Sequence, residues 1–246
     1  MQLKVINSNS AGNAYILEND QEALLIECGV NFRNIKIALG FEMKKVVGCI
    51  VSHEHGDHSK AINDVLTAGI NVYASSGTHE ALGTLLSHRA IKVFSGKTFK
   101  VGNFKIKPFD VKHDVKEPFG FLINHPETGN ILFLTDSYYC EYTFPGLNNV
   151  IIEANYCQGI LDRRVADGMN PKFLRDRVIT SHMSLKTCKE MLGANDLSAV
   201  NNIVLIHLSD GNSDEKRFKR EVEEQTGKVV HVAVPGLKIP FNKTPF

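Results

Sequence analysis

Four ligand-type side chains, His53, His55, Asp57 and His58, fall within six residues of the stretch IVSHEHGDHSKAI, residues 50 to 62. Imidazole and carboxylate are the donors that a borderline divalent metal takes. At two-residue spacing His53 and His55 can project toward one point while Asp57 and His58 turn toward a second, so the loop itself favours two metal ions. A merely polar loop would crowd three imidazoles and a carboxylate together with nothing to bind, and the imidazoles would repel one another once protonated. Three further residues of the same kind follow apolar, strand-like runs: His113 ends FKIKPFDVKH, Asp136 ends NILFLTD and His207 ends NIVLIH. Singly each reads as a loop-start residue or a satisfied histidine. Three in the same position relative to a strand strengthen one another.

Two metals held close together can carry a hydroxide at neutral pH and stabilise both the attacking and the leaving oxygen of an in-line displacement. That is hydrolytic machinery. The expected cofactors are two divalent ions, zinc first and manganese second, because five imidazoles and two carboxylates also accept iron or cobalt.

Residues so far apart in the chain need a scaffold that brings strand ends together. LKVIN (3–7), NAYILEN (13–19) and EALLIECG (22–29) read as strands with an antiparallel start, NSNSAGN linking the first two. A helical spacing over 30–39, a buried strand VVGCIVS (46–52) and a helix SKAINDVLTAG (59–69) follow, then strand NVYAS (71–75), a helix over 77–87 and strand IKVF (91–94). FKIKPFDVKH, FGFLINH, NILFLTDS and NVIIEANY form four more strand candidates. From residue 159 the signals are helical, apart from strands NIVLIH (202–207) and KVVHVAV (228–234) around the charged helix SDEKRFKREVEEQ. Two strand-rich halves flanked by helices predict an α/β fold, a four-layer α/β/β/α sandwich with ligands gathered at strand ends along one rim. No repeat, low-complexity tract or long linker divides the chain, so a single domain over 1–246 is expected.

Composition is that of an ordinary water-soluble protein: 43% hydrophobic, 22% charged, and a net charge of +1, which gives no electrostatic signature for wrapping a polyanion. Five scattered cysteines, never spaced as CxxC, form neither a disulfide framework nor a zinc knuckle and fit a reducing cytoplasm. The start MQLKVINSNSAG lacks a signal-peptide pattern, and no apolar run approaches the roughly 18 residues of a membrane span. A cytoplasmic protein without membrane attachment is expected.

With these residues in hand, the sequence resembles the metallo-β-lactamase-fold hydrolases over nearly its whole length. The HxHxDH pattern is His53, His55, Asp57 and His58, and the later family positions fall on His113, Asp136 and His207. The resemblance implies His53, His55 and His113 on one metal, Asp57, His58 and His207 on the other, and Asp136 bridging. Where the family often has Asp in a D-x-G turn after its third strand, this sequence has Glu27 in IECG, a departure that leaves the ligand set intact and bears on the residues supporting it.

His182, in SHMS, lies 25 residues before His207 in IHLS, a pairing similar to the phosphodiesterase branch that includes ribonuclease Z and the YycJ-type nucleases. The resemblance makes His182, at the opening of a helix, the general acid that helps the leaving oxygen depart, a contribution of about 10²- to 10⁴-fold. Asp57 is counted with His182 among the catalytic candidates as well as among the ligands. HDVKEPFGF after His113 and EANY at 153–156 are also similar to this branch, and the H-T-P-G-H-T signature of thioesterase-type relatives is missing. NSNSAGN is similar to the S-S-G-N turn of YycJ-like proteins; it either aims backbone N–H groups at a phosphate or simply forms the hairpin turn. Arg163, Arg164, Lys172, Arg175 and Arg177 precede His182, with one or two able to clamp a phosphate and the rest forming a solvated face. Tyr138, Tyr139, Tyr142 and Phe144 either stack on a base or pack under a loop.

Neither a ribonuclease Z arm nor a β-CASP domain is visible, which leaves two compact relatives: the YycJ-like DNA exonucleases and the phage anti-Pycsar phosphodiesterases. Short length and weak charge tilt the reading toward hydrolysis of a 3′,5′-cyclic mononucleotide to its 5′-monophosphate, depleting an immune signal in the host cytoplasm if the chain is phage-encoded. A DNA exonuclease is the alternative. A nucleotide-binding sponge and a carboxyl-ester or lactam hydrolase stand behind these. Resemblance also implies a homodimer.

Overall fold

Successive side chains of a strand face opposite sides of a sheet, and Ala23–Ile26 shows what that does here. Leu24 and Ile26 enter one hydrophobic core while Ala23 and Leu25 enter another. In the computed structural model, which describes residues 1–244, the same division runs through two seven-stranded sheets. The expected domain, 1–246, reaches two residues beyond the described part.

The first sheet has the order β14-β1-β2-β3-β4-β5-β6, from β1 (Gln2–Asn9), β2 (Gly12–Glu18), β3 (Ala23–Ile26), β4 (Val46–Ile50), β5 (Val72–Ala74), β6 (Ala90–Lys92) and β14 (Lys238–Pro240). The second has the order β13-β12-β11-β10-β9-β8-β7, from β7 (Phe99–Val101), β8 (Phe104–Asp110), β9 (Phe119–His125), β10 (Gly129–Leu134), β11 (Leu147–Glu153), β12 (Asn202–Ile206) and β13 (Val229–Val232). Each sheet is antiparallel in one half and parallel in the other: β3 to β6 run parallel, as do β10 to β13. Between the sheets, Leu3, Tyr15, Leu24, Ile26 and Ile50 meet Phe104, Phe121, Phe133, Ile151 and Val204. On the far face of the first sheet lie α1 (Phe32–Ala38), α3 (Ile62–Thr67) and α4 (Ser76–Ala81). On the far face of the second lie α7 (Leu185–Gly193) and α8 (Glu215–Thr226). The result is the four-layer α/β/β/α sandwich expected. Of the other helices, α2 (Gly56–Ser59) and α6 (Lys172–Ser181) border the site, and α5 (Gln158–Ala166) lies against α6. Among the described residues no helix is long and apolar enough to cross a membrane.

Several elements differ from expectation, each for a local reason. The helix expected over 59–69 is broken into α2 and α3, because the Ala61 N–H donates to Cys28 O at 2.9 Å instead of continuing the turn. The helix expected over 77–87 stops at Ala81, ahead of Gly83 with its left-handed φ of 65°. The helix expected over 30–39 begins at Phe32, where the Asn31 side chain accepts from Arg33 N. β8 ends at Asp110 rather than His113, and the three-residue strands β7 and β14 went unread.

At the end of the sandwich away from the parallel strand ends, Glu22 ties the sheets together. Its carboxylate accepts from Asn103 N (3.0 Å), from Asn103 Nδ2 (2.7 Å) and from His125 Nε2 (3.1 Å). Burial works against the Glu22 charge, but the two Asn103 hydrogen bonds and His125 hold its carboxyl below the ordinary value. A group stabilised in this way contributes fully above its unfolded value of about 4.3 and loses that contribution as pH falls through the lower folded value. Glu22→Gln is therefore expected to lower stability by about 1–3 kcal/mol at neutral pH, with the gap from the native chain closing toward about pH 3. Denaturant titrations at both pH values measure it, and an equal gap at both would remove the charge from the account.

Candidate metal centre

The parallel strands of both sheets end at one rim, where the HEHGDH loop follows β4. Backbone bonds set the loop: Cys28 N donates to His58 O at 2.8 Å and Gly29 N to Asn13 O at 2.9 Å. The Ser59 hydroxyl bonds Glu54 O and His55 O, both at 2.9 Å. A Cβ on Gly29 would overlap the Asp57 carbonyl, so the turn after β3 needs glycine there.

All seven expected ligands come together. His55 Nδ1 stands 3.1 Å from both His53 Nε2 and His113 Nε2. Asp57 Oδ2 lies 3.3 Å from His58 Nε2 and 3.1 Å from His207 Nε2. Asp136 Oδ2 sits between the groups, 3.4 Å from His58 Nε2, 3.7 Å from His113 Nε2 and 3.8 Å from His53 Nε2. Asp136 and His207 lie just past β10 and β12 with left-handed backbones (φ 43° and 54°), as does Glu27 past β3 (φ 63°). Such positions cost about 1–3 kcal/mol each and persist where function requires them.

Donor chemistry tests whether metal fits. The outer nitrogens of two rings are engaged, His53 Nδ1 with the Ser52 hydroxyl and His113 Nδ1 with Ser181 O, both at 2.9 Å. A neutral imidazole whose Nδ1 donates outward turns a lone pair inward. Burial and neighbouring rings push His53 well below the ordinary histidine value, and burial lowers His113. Lone pairs 3.1 Å from a third imidazole call for a cation between them. At the second group, burial opposes protonation, yet Asp136, Asp57 and Glu153 carry His207 up to about 10. Burial alone would raise Asp57, but His207 and His58 bring it well below the carboxylate range. The carboxylates demand positive charge there, and a divalent ion supplies it in place of protons. The residues fit divalent metal.

Glu27 occupies the supporting position that the sequence reading marked. Its Oε1 accepts from Ser52 N at 3.0 Å, and Oε2 faces His58 Nδ1 at 3.4 Å, aligning that ring with Nε2 toward the cleft. Asn155 donates to His207 O at 2.8 Å.

His182 is in the site too, but it follows α6 rather than opening a helix; α7 starts at Leu185, behind its cap Ser184. Its ring stacks on His207 at 5.2 Å, and its Nδ1 is 2.8 Å from Glu153 Oε1. Burial opposes a charge on His182, yet Glu153 and Asp136 outweigh it and raise the ring above the ordinary value. Glu153 had no role in the sequence reading beyond its place in EANY. It is fully buried, and its Oε2 accepts from Met183 N (3.0 Å) and Ser137 N (3.2 Å). The available signal was a carboxylate closing the apolar run VII of β11, as Asp136 closes NILFLT. Asn13, Ser52 and Asn155 were also missed.

A cleft of about 350 Å³ opens over the cluster, lined by His55, Asp57, Asp136, His182 and His207, with Leu174, Arg177 and Val178 from α6 above. Of the basic residues before His182, Arg175 is tied to Asp162 and Asp176 (2.6 and 2.8 Å), Arg164 lies against Gly211, and Arg177 faces the cleft. Phe144 is buried against Phe109, which Tyr142 also meets edge-on, while Tyr138, Tyr139 and Tyr142 are all exposed.

Two facing sheets with a His/Asp cluster of this kind on one rim define a class, the metallohydrolases of the four-layer sandwich. Within it, the family model described as the beta-lactamase superfamily domain matches residues 23–208. The chain belongs to that superfamily of hydrolases, in its metallo-β-lactamase fold. It is 26% identical over 225 residues to the exodeoxyribonuclease WalJ of Streptococcus pneumoniae, covering 85% of this chain and 82% of that protein. With the exodeoxyribonuclease YycJ of Bacillus anthracis it shares 23% over 238 residues, 91% and 88% of the two chains. The crystal structure of the metallo-β-lactamase fold protein YhfI from Bacillus subtilis superposes with a TM-score of 0.75 at 18% identity, covering 97% and 98%.

Proposed function

We propose that the chain is a metal-dependent phosphodiesterase that removes nucleotides from a DNA strand end. The observation that carries the phosphodiester reading is the His182–Glu153 pair, an acid and its carboxylate beside the Asp136-centred cluster; similarity to two exodeoxyribonucleases supports DNA as the substrate. His53, His55 and His113 would hold one divalent ion, Asp57, His58 and His207 the second, with Asp136 shared. When bound, the ions supply Lewis acidity and an activated water at neutral pH. The protein's own contribution is proton placement. Glu153 binds Nδ1 of His182, leaving Nε2 as the atom that hands a proton to the departing 3′ oxygen and so yields a 5′-monophosphate. Arg177, at the cleft edge, is placed to meet a phosphate oxygen.

A second reading, the 3′,5′-cyclic mononucleotide, is favoured by the near-neutral charge and by a cleft at the small end of ligand-pocket sizes. One assay separates them. Metal-reconstituted protein is offered 5′-labelled single- and double-stranded DNA beside cyclic CMP, UMP, AMP and GMP, with His55→Ala as the blank. Progressive shortening of DNA with cyclic nucleotides intact is the expected result; turnover of cyclic nucleotides with DNA untouched would replace the first reading by the second.

A further inference from the structure

The segment NSNSAGN is a hairpin between β1 and β2, and its side chains lead back into the site. His207 N–H donates to Ser8 Oγ at 2.9 Å, and Ser8 Oγ meets Tyr15 OH at 2.7 Å. Tyr15 OH donates to Asn13 Oδ1 at 3.4 Å. Asn13 Nδ2 then donates to Asp57, 3.3 Å from its carbonyl and 3.4 Å from Oδ2, and stands 3.2 Å from His58 Nε2. With the serine hydroxyl donating to the phenol, every bond points the same way, from His207 to Asp57. Asp57 Oδ2 and His207 Nε2 are themselves 3.1 Å apart, so the relay closes into a ring.

Ser8, Tyr15 and Asn13 are all buried, with Tyr15 and Asn13 only 1% exposed. Unmade hydrogen bonds there would be costly, and bonds aligned head to tail reinforce one another. Burial raises the Tyr15 phenol well above its ordinary value, so it keeps the proton it donates. The relay touches Asp57, His58 and His207; among the described residues none of its bonds reaches His53, His55 or His113.

We propose that Ser8, Tyr15 and Asn13 form the positioning device of the second metal site, so that the amino-terminal hairpin decides whether the centre holds two ions or one. Asn13 acts as a donor that orients Asp57, not as a ligand. This rests on the metal-centre reading above, and is independent of which phosphodiester is cut.

The test is metal binding by the full chain without substrate: zinc titration against a competing chelator, and metal content after dialysis, with circular dichroism to follow the fold. The native chain is expected to take two equivalents. Asn13→Ala is expected to weaken the second equivalent by about 10- to 100-fold, the usual effect of losing a residue that orients a ligand, and to leave the first unchanged. Tyr15→Phe removes one oxygen while keeping the ring on Phe133, 5.9 Å away, and is expected to weaken the same equivalent by a smaller factor. It decides the matter if Asn13→Ala does not fold. Asn13→Asp sets an acceptor against Asp57 and is expected to lose at least as much. Unchanged affinities in the variants, equal weakening of both equivalents with the fold intact, or tighter binding by Asn13→Asp would each overturn the relay. A native chain that takes up no metal would overturn the metal-centre reading itself, and the relay with it.

Discussion

Asp136→Asn is expected to abolish turnover and to strip both ions from the centre, a loss well beyond the about 10- to 100-fold that follows removal of a supporting residue. Every other expected ligand belongs to one group. Asp136 alone stands among both, with Oδ2 3.4 to 3.8 Å from His53, His58 and His113. Its Oδ1 accepts from Thr135 Oγ1 at 2.8 Å, which fixes the carboxylate plane. Asparagine keeps that shape but is neutral and offers one oxygen instead of two, and its NH2 falls either on the Oδ2 side, where cations need an anion, or against the hydroxyl that Thr135 donates. It also removes the charge that five surrounding rings share. Metal content and turnover measured on the same preparation give the answer. Retention of both ions with near-native activity would show that Asp136 is a bystander and that the two groups bind independently.

How much of this was readable in the sequence depended on where the information lay. The HEHGDH loop was legible because its donors are neighbours in the chain, and His113, Asp136 and His207 because each follows a strand-like run. The layers followed from strand alternation and the placing of helices. What escaped reading was decided by contacts between distant segments. Nothing within residues 59–69 says that the Cys28 carbonyl will capture the Ala61 N–H and break the helix. β7 and β14 are three residues long and exist because a neighbouring strand completes them. Asn13 looked like part of a turn and Glu153 like a strand end, since each acquires its role only when a loop distant in the chain, the one carrying Asp57 or the one carrying His182, folds against it. The resemblance pointed to His182, which lines the cleft, but the carboxylate beside its Nδ1 comes from β11, 29 residues earlier.

That partnership makes the second large effect specific enough to test. His182→Ala is expected to lower kcat on DNA by about 10²- to 10⁴-fold, with KM little changed and both ions retained. His182 lies within a cation's reach together with Asp136, Glu153 and His207, but His53, His55, His113 and Asp136 on one side and Asp57, His58 and His207 on the other already form two groups without it. It is 20% exposed at the side chain, enough to reach a substrate. Its Nδ1 is committed to Glu153, so Nε2 is the nitrogen with a proton to give. An alkoxide leaving group needs that proton. A nitrophenyl phosphodiester, whose leaving group departs without one, does not. The variant should therefore cleave the activated ester at close to the native rate while failing on DNA, a contrast that loss of packing around His207 would not produce. Glu153→Gln should show the same contrast more weakly, because it leaves the ring in place and removes the anion that holds its charge. Equal losses on the two substrates would take His182 out of proton transfer and leave it as a wall of the cleft.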